Sequence, residues 1–123
     1  MKTLAQIRAA DALEAAKQPG MGLGQQGGDA LSGFPMLIKS DGLLAALAFA
    51  VERKSNGQRK QPGAFLIASA IAKHLASDGI GIVDAEDADA LVDELARASD
   101  ASQLRRATAE ALAFLNYLKR FVA

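Results

Sequence analysis

Arg105, Arg106, Lys119 and Arg120 sit in one regular stretch near the end of the sequence, and no acid interrupts the arc they trace. At about 100° of turn per residue, they and Asn116 fan from the flank of a helix to the side opposite its apolar stripe. Bases segregated in this way form a cationic face suited to phosphate, although a solvated outer face is the bland alternative. Glu110 lies at the edge of the fan, one turn from Arg106, where it can pair with that arginine.

A second basic group, Arg53, Lys54, Arg59 and Lys60, surrounds Asn56-Gly57 with only Glu52 beside it to oppose the charge. Residues 53–60 read as a basic loop. Without interleaved aromatics, any nucleic-acid contact there addresses phosphates and not bases. Phe114, Tyr117 and Phe121 make an aromatic edge beside the aliphatic stripe of the same last helix. Their spacing favours core packing, with a protein interface as the alternative.

Catalytic readings find little support. There is one histidine, His74, and no cysteine, so neither a thiolate metal shell nor a motif-supported histidine triad can be assembled. His74 stands near the end of a helix, where a dipole contact is expected. Gly22-Leu23-Gly24-Gln25-Gln26-Gly27 has the letters of a dinucleotide fingerprint but follows a helix, where that motif requires a strand. Arg8, Arg105 and Arg106 could hold a carboxylate ligand in a small helical enzyme, yet no acid-base set accompanies them. No cofactor, metal or catalytic residue is expected.

The elements that must position these residues are helical. Of 123 residues, 27 are alanine and ten are valine or isoleucine, which favours helix over sheet. The length fits a single domain, and an all-α bundle of about five to six helices is predicted. Thr3 caps a first helix to about Lys17. Residues 18–33, with six glycines, read as a flexible connection. A second helix then starts at Asp29 or Ser32, with Pro35 in its first turn. Asp41 caps a third, Pro62 opens a fourth, and Asp84 caps a fifth. The sixth carries the stripe Leu104, Thr108, Ala111, Leu115, Leu118 and Val122. Ile80-Gly81-Ile82-Val83 is too short to found a sheet and is expected to be a packed loop.

The 14 bases and 14 acids of the chain balance, but residues 84–100 hold seven acids and one base, leaving 13 bases and seven acids elsewhere. This two-sidedness suggests that Asp87 and Asp89 of one copy face a basic surface on the next. No stretch resembles a signal peptide or a bilayer span, so a cytoplasmic protein without membrane contact is expected.

Two stretches carry a family resemblance. Phe34-Pro35-Met36-Leu37-Ile38-Lys39-Ser40-Asp41-Gly42-Leu43-Leu44-Ala45-Ala46-Leu47-Ala48-Phe49 and Gln103-Leu104-Arg105-Arg106-Ala107-Thr108-Ala109-Glu110-Ala111-Leu112-Ala113-Phe114-Leu115-Asn116-Tyr117-Leu118-Lys119-Arg120-Phe121 resemble the small helical subunit of Cmr complexes. These are the type III-B CRISPR effectors, and the likeness extends to Arg8-Ala9-Ala10-Asp11-Ala12. The glycine-rich segment, the basic loop and the acidic fifth helix match no motif of that family. The resemblance implies a non-catalytic subunit of an antiviral ribonucleoprotein. Its copies would stack beside backbone subunits that hold guide RNA, along the groove that target RNA occupies. The competing reading is a helical protein-interaction adaptor that uses the aromatic edge and never touches nucleic acid.

Overall fold

Six helices form in the computed structural model, which describes residues Met1–Ala123. In α1 (Leu4–Ala16) a reciprocal capping box joins Thr3 and Gln6, satisfying amides that the helix itself leaves free. The remaining helices are α2 (Gln26–Asp41), α3 (Leu43–Ala50), α4 (Pro62–Ala76), α5 (Ala88–Arg97) and α6 (Ala101–Phe121). None is long and apolar enough to cross a membrane.

The centre of the bundle is α4, which packs against every other helix. Pro62 at its start needs no amide partner, and Ala64, Ile67, Ala68, Ile71 and Leu75 give it an almost continuous buried surface. In α6 the buried set is Ala107, Glu110, Ala111, Phe114, Leu115 and Leu118, continued by Val122 just past the helix, while Leu104 and Thr108 are only half-buried. The stripe is therefore rotated toward Phe114 relative to the spacing expected from the sequence.

The glycine-rich segment differs from its expected form. From Gln26 onward it is helix, and Gly27 and Gly28 are buried where α2 starts. A Cβ on Gly28 would lie 2.1 Å from the Gly22 carbonyl oxygen, and one on Gly63 of α4 would lie 2.2 Å from the Gln26 carbonyl oxygen. These glycines let backbones touch, and that contact outweighs their low helix propensity. Pro35 consequently falls in the interior of α2 and not in its first turn. Leu31, Phe34 and Ile38, all buried, anchor the helix on both sides of it, so packing offsets the hydrogen bond that proline cannot donate.

Two helix starts also shift. Asp41 remains within α2, and Gly42, at φ +93°, makes the junction to α3. Asp87, not Asp84, caps α5 by accepting a hydrogen bond from the Ala90 amide. The amides of Asp84 and Ala85 instead donate to the Glu94 carboxylate. Residues 80–83 form a packed loop with Val83 buried, tied by the Ile82 amide to the Leu75 carbonyl and by Gln103 Nε2 to the Ile82 carbonyl.

Candidate nucleic-acid interface

Glu110 does not pair with Arg106. It points inward and accepts from Arg8 through both carboxylate oxygens, at 2.7 Å from Nε and 2.8 Å from Nη2. That planar two-point geometry suits a guanidinium and no other side chain. The same carboxylate lies 2.8 Å from His74 Nε2, while His74 Nδ1 lies 2.7 Å from Asp11. Ser77 Oγ donates to Asp11 at 2.8 Å. Both ring nitrogens therefore face carboxylates. Phe114 closes the cluster from beneath, stacked on the His74 ring at 4.5 Å.

This relay joins α1, α4 and α6 and sets the electrostatics of the surface above it. Burial pushes the Glu110 carboxyl up, but the hydrogen bonds from Arg8 and His74 outweigh it and hold the group below the usual carboxylate range. With Glu110 withdrawn, Arg105, Arg106, Lys119 and Arg120 are all exposed and none pairs with an acid. They span about 22 Å along the helix axis. Lys119 and Arg120 also complement the C-terminal end of the helix dipole.

The basic loop is a small hairpin. Arg53 and Arg59 form an antiparallel bridge, Gly57 takes φ +86° at the turn, and the Lys54 amide donates to the Gln58 carbonyl. Arg59 is largely withdrawn from solvent. It bonds the Val51 carbonyl at 2.8 Å, meets Asp89 through both terminal nitrogens, and lies 3.9 Å above the Phe65 ring. Arg53 reaches the Gly57 carbonyl and stands 3.8 Å from the same Asp89 carboxylate. Lys54 and Lys60 remain exposed and unpaired.

Several expected roles change on this geometry. Arg59 is a tether of the hairpin and offers little surface to a ligand. Asp87 and Asp89, expected to meet a neighbouring copy, are occupied within the chain by the α5 cap and by the two hairpin arginines. Phe114 is fully buried and unavailable as an interface, whereas Tyr117 and Phe121 are half-buried with ring centroids 6.3 Å apart. His74 stands in the last turn of α4, as expected for a dipole partner, and is in addition a buried link between the carboxylates of Asp11 and Glu110. Arg8 and Arg106 line one groove and Arg105 another, so the three arginines do not converge on one ligand. Sequence reasoning missed the pairing of Arg8 with Glu110, partners 102 positions apart. A lone acid on an otherwise basic helix was the available signal.

Fold and site define a small helical protein with one free cationic helix face, set above a cluster in which Arg8, Asp11, His74 and Glu110 are closed on one another. Residues 4–123 match the family described as CRISPR-associated protein (Cas_Cmr5). The chain belongs to that family and is a small Cmr subunit, as the two helical stretches indicate. It is similar to the crystal structure of a CRISPR-associated Cmr5 family protein from Thermus thermophilus. The two share 30% identity at a TM-score of 0.70, over 98% of this chain and 95% of that one. No curated protein matches the sequence.

Proposed function

We propose that this subunit is a non-catalytic building block of a type III-B CRISPR ribonucleoprotein in the cytoplasm. It stacks with copies of itself beside the backbone subunits that carry guide RNA, and it supports target-RNA binding through the outer face of α6. The carrying observation is that four bases on α6 are exposed and unpaired, while the carboxylate best placed to neutralise Arg106 is turned into the bundle. Free bases on a rigid helix neutralise phosphates and release counterions, and they need no nucleophile or metal to do so.

The test is target-RNA binding by the assembled complex at several salt concentrations. Replacing Arg105, Arg106, Lys119 and Arg120 by alanine should weaken binding and flatten the salt dependence. The expected change is about 0.7 in log-log slope for each single-strand phosphate that is no longer neutralised. Helicity should stay unchanged because all four side chains are exposed. An unaltered slope with defective assembly favours the adaptor, for which Tyr117 and Phe121 are the remaining surface.

A further inference from the structure

Arg53 and Arg59 stand directly opposite each other in the hairpin. Like charges at such a position repel, and an isolated two-stranded hairpin is marginal in water even without repulsion. Here the repulsion is met from outside. Asp89, in the first turn of α5, contacts both arginines and holds Arg59 with two hydrogen bonds. The hydrogen bonds from Arg59 keep the Asp89 carboxyl below the usual range against the effect of burial.

Alternation of side chains on either side of this single bridge makes the pairing directional. If Arg53 and Arg59 share the face that meets Asp89, then Lys54 and Lys60, one residue further along, belong to the other face. Both are exposed and neither pairs with an acid. The hairpin thus has a locked side and a free side.

We propose that Asp89 is a positioning residue for RNA: by neutralising Arg53 and Arg59 it fixes the hairpin so that Lys54 and Lys60 meet the phosphate backbone as one preorganised pair. This rests on the reading of the subunit as an RNA-binding one. It gives an acidic residue a role in binding a polyanion, and that sets the sign of the test. Removing an acid near RNA strengthens binding if long-range charge alone matters. Removing this one should weaken it, because ordering the lysines then has to be done at the moment of binding.

The experiment is salt-dependent target-RNA binding by the assembled complex carrying Asp89→Asn, Asp89→Glu, Lys54→Ala with Lys60→Ala, and the combination of Asp89→Asn with both lysine changes. Asp89→Asn should lower affinity about five-fold, and Asp89→Glu should recover much of it. The lysine pair should flatten the salt slope by about 1.4. Added to the lysine changes, Asp89→Asn should cost nothing further, since it acts through them. A gain or no change in affinity for Asp89→Asn, or the same loss in both backgrounds, overturns the proposal. So does an unchanged salt slope for the lysine pair with reduced assembly, which would make the hairpin a protein contact. If the four α6 replacements flatten the slope while the lysine pair does not, this inference fails alone. If neither does, the RNA-binding reading itself fails.

Discussion

Arg8 and Glu110 close a bidentate ion pair at 2.7 and 2.8 Å and so fasten the first helix to the last. The pair matters because Ala12 is the only fully buried residue of α1. Leu4 and Leu13 are respectively 44% and 51% exposed, so apolar burial alone holds this helix weakly. Replacing Glu110 by alanine leaves Arg8 and His74 without their shared acceptor. That loss should destabilise the chain by about 3 kcal/mol, read as a lower denaturation midpoint with an unchanged m value. Arg8→Lys retains the charge but not the two-point geometry, and should cost less than Glu110→Ala.

Acid should act on the same pair. Glu110 is held below its usual value, so the folded state favours its charged form. The stabilisation is fully present above the unfolded carboxyl value of 4.5 and disappears as pH falls through the lower folded value. Stability measured from pH 7 downward should therefore fall less steeply in Glu110→Gln than in the native chain. Asp89, shifted in the same direction by Arg59, leaves part of the slope in place.

Charge reversal in the acidic helix is a poor probe of stacking between copies. Asp87 accepts the Ala90 amide at the start of α5, and losing an aspartate cap costs about 1 kcal/mol. Asp87→Ala should lower the melting temperature of the isolated subunit even with no neighbour present, as differential scanning calorimetry would record. Asp84 and Glu86 are exposed and in no ion pair. Reversing those two should leave the melting temperature nearly unchanged, so an assembly defect in that variant would report contact between copies.

Legibility in the sequence followed the range of the interaction. Thr3 and Pro62 act within one helical turn, so their helix starts could be read directly. The all-helical class and the exposure of the α6 bases follow from composition and periodicity, which are also local. Asp84 is the cap that local patterning expects for α5. Glu94, ten positions beyond Asp84, takes the earlier amides and leaves the cap to Asp87. Glu110 offered a local partner, Arg106, but a distant one with better geometry won. The hairpin likewise reads as a free basic loop until Asp89, thirty positions from Arg59, is placed against it.

Glycines of α2 and α4 separate local propensity from packing most sharply, because the same substitution should have opposite effects at two sites. Gly33 lies inside α2 at an ordinary φ, and a Cβ there meets nothing within 4 Å. Gly33→Ala should therefore stabilise the chain by about 0.5–1 kcal/mol, since alanine loses less backbone entropy on entering a helix. Gly63 lies in the first turn of α4, also helical, so propensity alone favours alanine there too. Yet a Cβ on Gly63 would stand 2.2 Å from the Gln26 carbonyl oxygen and 2.7 Å from its carbon. These are backbone atoms that cannot rotate away, so α2 and α4 would have to separate. Overpacking of this kind typically costs about 1–3 kcal/mol, which outweighs the propensity gain. Denaturant midpoints of the two variants should move in opposite directions. A rise for Gly63→Ala would mean that the close approach of α2 to α4 contributes little to the stability of the bundle.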